Sequence, residues 1–222
     1  MALLLNIDTS VETASVCLSD NSEQLRLAIN DNQKDHAAWL HTAIHDVLRS
    51  EHVDISNINA LAISIGPGSY TGLRIGLATA KGLCYALKIP LICINTLQMM
   101  AHAVKDMGTE WICPLIDARR MEVFTAVYNN SLEELIKPFA MVIVKESFAD
   151  LLSSHPVIFC GNGSKKLQSV LSHPHATFSD RIATAADLPD LAHKYFLEKK
   201  FADLAYVEPL YLKEFYSAAH NF

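Results

Sequence analysis

The 222-residue sequence lacks the features that define several large classes of protein. No apolar run approaches the roughly 20 residues of a membrane-spanning helix. The 24 acidic residues outnumber the 18 basic ones, giving a net charge of −6. Its lysines and arginines cluster no further than pairs, which argues against a protein that binds nucleic acid by itself. We therefore expect no membrane association and no independent nucleic-acid binding.

Cysteine pairs and a secretion signal are also missing. The five cysteines are dispersed through apolar segments without a C-x-x-C pair, a pattern typical of reduced core thiols. The apolar start MALLLNID reaches an acidic residue at once, without the basic segment and cleavage site of a signal peptide. The sequence thus predicts a cytoplasmic protein that begins with a buried strand.

Common catalytic motifs are absent as well. The sequence contains no G-x-S-x-G and no H-E-x-x-H, so it offers no serine-hydrolase or zinc-protease machinery. His36, His41 and His45 share one predicted helix, but zinc requires a third ligand beside the pair at positions 41 and 45. We interpret them as a solvated helix face and predict neither catalytic nor metal-binding residues.

The order of predicted elements repeats. Three β-type runs precede a helix at 35–51, a strand at 61–65, a glycine-containing helix at 71–87, a strand at 91–95 and a helix capped by Thr96. The second half begins alike, because strand–Asp8–turn–Thr13–strand is echoed at the same spacing by strand–Asp117–turn–Glu122–strand. This order predicts an α/β, actin-like fold of two ribonuclease-H-like subdomains with mixed sheets. We place them at 1–105 and 106–222, and the C-terminal segment could pack back on the first.

The most informative stretch is IGPGSYTGLRIGLATAKG, at 65–82. Its glycines miss the spacing of a dinucleotide fingerprint, and no Lys-Ser or Lys-Thr pair completes a P-loop. A glycine inside a helix costs about 1 kcal/mol relative to alanine, so each requires a reason. Three readings remain open: packing within its own subdomain, an anion site at the helix start, and a docking face. We favour a docking face made by Gly72, Gly76 and Ala80.

Two turns are candidate nucleotide sites. Asp8, Thr9 and Ser10 follow the first strand, where actin-like ATPases hold metal and phosphate. Gly161 and Gly163 belong to a GNGS turn between a strand and a helix, where the second lobe of such a fold meets adenosine. The alternative is that the polar side chains satisfy backbone donors of their own turns, with Ser164 capping a helix.

Several motifs together resemble one family. The strings IDTS-x₅-VCL, D-H-x₃-L, IGPGSYTGLRIGLATAKGLCYALKIPL, GNGSKK and VEPLYLKE span most of the chain and resemble the TsaB (YeaZ) family. Its members act in bacterial synthesis of the threonylcarbamoyladenosine modification beside the tRNA anticodon. The resemblance implies a non-catalytic scaffold that pairs with the catalytic subunit TsaD and, in the full assembly, with the ATPase TsaE. ATP and Mg²⁺ would then belong to the partners or to the assembled complex, and tRNA would bind only through that complex.

The resemblance also locates the partner surface. Family pairing uses the first two helices, so we expect an interface on this chain that also allows a homodimer; its residues are Trp39, Ala43, Gly72, Arg74, Gly76, Thr79 and Ala80. An independent actin-like ATPase or small-molecule kinase is the alternative function, and a peptidase the third.

Overall fold

A computed structural model describes residues 2–30 and 35–213. The first half contains a five-stranded sheet and three helices, and the second half a similar sheet with three shorter ones. The elements of the first half are β1 (Leu3–Asp8), β2 (Ala14–Asp20), β3 (Glu23–Asn30), α1 (His36–Ser50), β4 (Ala60–Ser64), α2 (Tyr70–Leu87), β5 (Leu91–Ile94) and α3 (Thr96–Val104). Those of the second are β6 (Trp111–Asp117), β7 (Glu122–Asn129), β8 (Glu134–Val142), α4 (Ala149–Ser154), β9 (Val157–Cys160), α5 (Ser164–Gln168), β10 (Ala176–Phe178) and α6 (Pro189–Leu197).

The two sheets have the same topology, which confirms the predicted duplication. The first has the order β3-β2-β1-β4-β5, and the second has the order β8-β7-β6-β9-β10. In each, the first three strands are antiparallel, and the next two join the first strand in parallel. The chain therefore has the actin-like fold of two ribonuclease-H-like units.

Alternating side chains divide the first sheet between two cores. Leu5, Ile7 and their neighbours face α1 and α2. Residues on the other face, such as Ala62 and Ile94, share a core with α3, α6 and residues of the second sheet, including Tyr128. Helices α1 and α2 consequently form the outer layer on the far side of the first sheet from the second half.

Some local predictions were wrong. Asn95, not Thr96, caps α3, because its side chain accepts a hydrogen bond from the Leu97 N–H. The Thr96 hydroxyl instead accepts from the Gly66 N–H at 3.1 Å. His36 is buried, at 6% exposure, so it does not share the solvated face of α1 with His41 and His45.

The segment after α6 returns to the first sheet. Residues 201–213, which we call the strap, run past the edge strand β5, where the Ala202 N–H donates to the Leu91 carbonyl at 2.8 Å. Half-buried Leu204 and Val207 pack against the core beneath α2. The predicted extended tail continues into residues 214–222, which lie outside the described residues. Among the helices described, none is long and apolar enough to cross a membrane.

Candidate functional site

The glycine turn before α2 is shaped by contacts within the chain. Gly66 has a φ of +120° and lies against the Leu210 carbonyl of the strap, where no Cβ would fit. The Ser69 N–H donates to the Ser10 carbonyl at 2.7 Å, and the Ser69 hydroxyl accepts from the Gly72 N–H to cap the helix. The glycine turn therefore contacts the strap, the turn between β1 and β2, and α2. Most of its polar groups are directed at other protein groups.

The step-of-four stripe on α2 faces inward. A Cβ on Gly72 would clash with the Thr9 carbonyl, and one on Gly76 with the Thr9 hydroxyl. Ala80 is fully buried against the first sheet. The prediction that Gly72, Gly76 and Ala80 form a docking face is wrong. These small residues instead let α2 approach the Thr9 backbone, which is the subdomain-packing alternative.

The outward side of α2 carries a different set of small residues. Ala78, Gly82 and Ala86 are exposed and follow one another at steps of four. Apart from its chain neighbours and the backbone of its own helix, no atom of the described residues lies within 4 Å of a Cβ built on Gly82, so packing within the described chain does not require this glycine. Half-buried Ile75 and Thr79 flank the stripe on one side, and the 82%-exposed Tyr85 lies on the other. We call these six residues the outer face of α2.

The remaining predicted interface residues are divided between core and surface. Ala43 of α1 is buried at 4% exposure and packs in the core, so its predicted interface role is also wrong. Trp39 is half-buried, and Arg74 is exposed one helical turn before Ala78. A shallow groove of about 360 Å³ separates α1 from α2, and His41, His45 and Leu83 line part of it.

Asp8 is enclosed within the first subdomain. It is fully buried, and its Oδ1 accepts from the Ser10 N–H at 3.0 Å, from the Ser10 hydroxyl at 2.6 Å and from the Ser64 hydroxyl. Burial raises the pKa of this carboxyl despite those hydrogen bonds. The Thr9 hydroxyl donates to the Gly72 carbonyl at 2.8 Å. The side chains of Asp8, Thr9 and Ser10 thus lie away from solvent and bond to their own turn, to β4 and to α2, and the Asp8 Oδ2 is buried without a partner among the described residues.

The equivalent aspartate of the second sheet has a different environment. Asp117 accepts from the Lys166 ammonium at 2.6 Å and from the Arg119 N–H at 2.6 Å. Burial alone would raise the pKa of Asp117, but the hydrogen bond from Lys166 and that from Arg119 outweigh it and lower the pKa. Lys166 also donates to the Glu122 carbonyl. Its ammonium therefore bridges Asp117 and Glu122, the two ends of the turn between β6 and β7.

A cleft of about 800 Å³ lies between the two halves. Glu12 lines it from the first half, and Asn162, Lys165 and Arg181 line it from the second. Asn162 donates to Glu12 at 2.6 Å across the cleft, and Arg181 donates to the buried Asp187 at 2.6 Å. Three polar side chains of the cleft, those of Glu12, Asn162 and Arg181, are therefore already engaged with protein partners.

The GNGS glycines are explained by packing. Gly161 has a φ of +90°, and a Cβ there would meet Met100 and the Leu115 carbonyl. Gly163 lies against the Leu115 and Ile116 backbone. Ser164 begins α5 but does not cap it, since its hydroxyl donates back to the Gly161 carbonyl at 2.7 Å. Gly161 lines the cleft, and Gly163 packs against the backbone of β6.

Comparison with known proteins places this architecture in a family. Residues 30–216 match the family model described as TsaD, tRNA N6-adenosine threonylcarbamoyltransferase. The Escherichia coli (strain K12) tRNA threonylcarbamoyladenosine biosynthesis protein TsaB is 30% identical over 95% of this chain and 94% of its own length. The chain belongs to the TsaB family. The Bacillus subtilis (strain 168) TsaB is also 30% identical, over 95% of this chain and 93% of its own. A solved structure, YeaZ from Pseudomonas aeruginosa, superposes with a TM-score of 0.82 and 28% identity over 96% of this chain and all of its own.

For this TsaB-family chain, no cysteine is poised as a nucleophile among the described residues. Cys17, Cys84 and Cys113 are buried, and burial raises the pKa of each thiol to about 12. The thiols of Cys17, Cys84 and Cys113 are therefore protonated near neutral pH. No group of three histidine, cysteine, aspartate or glutamate residues within 2–30 and 35–213 has the arrangement of a metal site.

Sequence reasoning missed the residues that join distant segments. The Glu12–Asn162 and Arg181–Asp187 hydrogen bonds could not be predicted, because the residues around these positions form no recognisable motif. The sequence analysis allowed the C-terminal segment to pack back on the first subdomain, but it did not predict the contact of the strap with α2. Its only available signal was Gly66, a glycine at a turn where the strap passes.

Proposed function

We propose that this chain is a non-catalytic scaffold subunit that binds a TsaD-type catalytic subunit and supports formation of threonylcarbamoyladenosine in tRNA. The observation that carries the proposal is the outer face of α2, where Gly82 meets no atom of the described chain. E. coli and B. subtilis relatives that span 95% of this chain are named for biosynthesis of this modification. The match to the TsaD family model supports a partner of the same fold.

The physical argument rests on the outward small residues. Glycine at an exposed helix position forfeits about 1 kcal/mol relative to alanine. Gly72 and Gly76 are required by the approach of Thr9, but Gly82 has no such reason within the described residues. A partner backbone packed closely over Ala78, Gly82 and Ala86 would supply one. Tyr85, which is 82% exposed, provides an aromatic anchor of the kind enriched at interfaces.

The proposed division of labour assigns chemistry to the partners. Asp8, Thr9 and Ser10 are buried, with hydrogen bonds from Ser10 to Asp8 and from Thr9 to Gly72 of α2, which argues against direct contact with nucleotide or Mg²⁺. ATP and Mg²⁺ would therefore bind in the partner subunits or in the assembled complex, which includes a TsaE-type ATPase. The net charge of −6 agrees with tRNA contacts made through those partners.

The decisive experiment changes the outer face without touching the core. Gly82→Leu should leave the fold intact, since open space surrounds the position, and should weaken binding of the cognate TsaD-type subunit by at least about tenfold through overpacking. Lys194→Leu is the control, because Lys194 is exposed on α6, on the opposite face of the first sheet. Calorimetric titration would measure the affinities, and light scattering of each chain alone would detect a homodimer. Undiminished binding by Gly82→Leu would refute the docking surface.

The interdomain cleft favours a second candidate, an actin-like ATPase or small-molecule kinase. Its volume of about 800 Å³ is ample for a nucleotide, and Lys165 lines it. The aspartate expected to hold the metal is, however, enclosed away from this space. Equilibrium titration of the isolated chain with ATP and Mg²⁺ separates the candidates: micromolar affinity would favour the enzyme, and no binding at millimolar ATP would favour the scaffold.

A further inference from the structure

The strap holds one surface cation in a defined position beside the outer face of α2. The Arg74 Nε–H donates to the Tyr211 hydroxyl at 3.1 Å, and the guanidinium carbon lies 4.0 Å from the centre of the Tyr70 ring. The rings of Tyr70 and Tyr211 are 5.2 Å apart. Arg74 is therefore clamped between two aromatic side chains, one from its own helix and one from the strap.

The clamp determines which part of the guanidinium is available. The hydrogen bond to Tyr211 uses Nε–H, on the inner side of the group, and the Tyr70 side chain also interacts with the guanidinium, whose two terminal nitrogens form the outer end of a planar fork. No carboxylate in the part of the chain that the structure describes is within ion-pair distance of Arg74, and the side chain is exposed. A fork with this geometry matches the two oxygens of a carboxylate.

The strap itself is firmly seated up to this point. The Leu210 N–H donates to the Ile65 carbonyl at 2.8 Å, and the Lys81 ammonium donates to the Val207 carbonyl at 3.2 Å. Gly66 provides the space for the Leu210 carbonyl. These contacts fix the backbone immediately before Tyr211, so the tyrosine is delivered to Arg74 by an anchored segment.

We propose that Arg74 is a pre-positioned carboxylate-binding anchor at the edge of the outer face of α2, and that Tyr211, at the end of the C-terminal strap, holds this arginine in place for the partner. The occupant is an aspartate or glutamate on the surface of the TsaD-type subunit. The inference rests on the proposed function, because it names the chemistry of the same surface.

The position of Arg74 and the entropy cost of ordering its side chain both support this role. Arg74 lies one turn from Ala78, so a partner packed on the outer face reaches it without rearrangement. Ordering a free arginine on binding costs about 0.5–1.5 kcal/mol, which a clamped side chain has already lost. The strap thus contributes to affinity without itself contacting the carboxylate; Tyr211 is a positioning residue.

The test compares variants of the full-length chain in titrations with the cognate TsaD-type subunit. Tyr211→Phe removes only the hydroxyl and should weaken binding about two- to tenfold. Arg74→Ala should weaken it at least about twentyfold, and Arg74→Lys, which keeps the charge and loses the fork, by an intermediate factor. Tyr206→Phe is the matched control, because it removes a hydroxyl from an 83%-exposed tyrosine of the same strap and should change nothing.

Two further readouts separate positioning from a structural role. In the Arg74→Ala background, Tyr211→Phe should have no additional effect, since its contribution passes through the arginine. Wild-type affinity should also fall more steeply with sodium chloride than that of Arg74→Ala, as expected when an ion pair is lost. Equal effects of Tyr211→Phe in both backgrounds, or equal salt dependence, would overturn the inference.

The remaining outcomes are equally decisive. Unchanged or tighter binding by Tyr211→Phe overturns the inference, and tighter binding would mean that Tyr211 competes with the partner for Arg74. If the wild-type chain fails to bind the catalytic subunit but dimerises with the same dependence on Arg74, the occupant is a second copy and the proposed function fails. Wild-type binding with an inert Tyr211 leaves the proposed function standing and removes only this anchor.

Discussion

The substitution Gly76→Ala should destabilise the protein, although alanine is the better helix former. The new Cβ would collide with the Thr9 hydroxyl and lie 3.1 Å from Ile63 Cδ1. Overpacking costs about 1–3 kcal/mol, and displacing Thr9 from its hydrogen bond to the Gly72 carbonyl adds about 0.5–1.5 kcal/mol. The helix-propensity gain offsets about 1 kcal/mol. We expect a net loss near 2 kcal/mol, which lowers the Tm of a chain of this size by about 4–8 °C.

Gly82→Ala provides the matched control on the same helix. No atom of the described residues lies near its new Cβ, so only the gain remains and the Tm should rise by about 1–4 °C. Differential scanning calorimetry with urea unfolding measures both variants. If Gly76→Ala were as stable as the wild type, the assignment of the inward stripe to close intramolecular packing would be refuted.

Three further substitutions test the electrostatics and one cap. Burial raises the pKa of Asp8, so the folded state favours its protonated form and its stabilisation is lost as pH rises above about 3.9. Wild-type stability relative to Asp8→Asn should therefore fall between pH 4 and 8 in urea unfolding, and a rise would contradict an enclosed carboxyl. The lowered pKa of Asp117 acts in the opposite sense: Lys166→Met should cost about 0.5–1 kcal/mol at pH 7 and less at pH 3, and an equal loss at both would exclude the ion pair. Asn95→Ala should cost about 1 kcal/mol by calorimetry through loss of the α3 cap, whereas Thr96→Ser, which keeps the hydroxyl, should cost less.

Strands were predictable where the hydrophobic pattern is local. The ends of β1 and β9 agree with the sequence-based bounds, because each is a short apolar run followed by a polar turn. The apolar pattern of the second half predicts a third strand only near 139–144, whereas β8 lies at Glu134–Val142. Its first residues do not alternate between apolar and polar types, and Pro138 follows them, so this part of the edge strand carries no strand pattern.

The glycine helix shows why a correct inference from sequence produced a wrong surface. Glycine at positions 72 and 76 signals that another segment comes close, and the Thr9 carbonyl does so at Gly72 and the Thr9 side chain at Gly76. The sequence does not indicate whether that segment is Thr9 or a partner. The turn between β1 and β2 lies next to α2 only because the strands pair in the sheet. Gly82 is distinguished from the other two only by the empty space around it, which requires coordinates.

The two halves also show how a shared topology can serve different ends. Asp8 and Asp117 follow equivalent strands, but the first is enclosed by Ser10 and Ser64, and the second is paired with Lys166. A nucleotide-hydrolysing cleft between two such sheets requires polar groups that are free to turn toward the ligand. Here Oδ1 of each aspartate already accepts hydrogen bonds within its own subdomain, and the Asp8 Oδ2 is buried without a partner among the described residues. Within residues 2–30 and 35–213, no contact accounts for the glycine at position 82, and no carboxylate pairs with the outer end of the Arg74 fork. Both lie on the far face of the first sheet, which is where we place the partner.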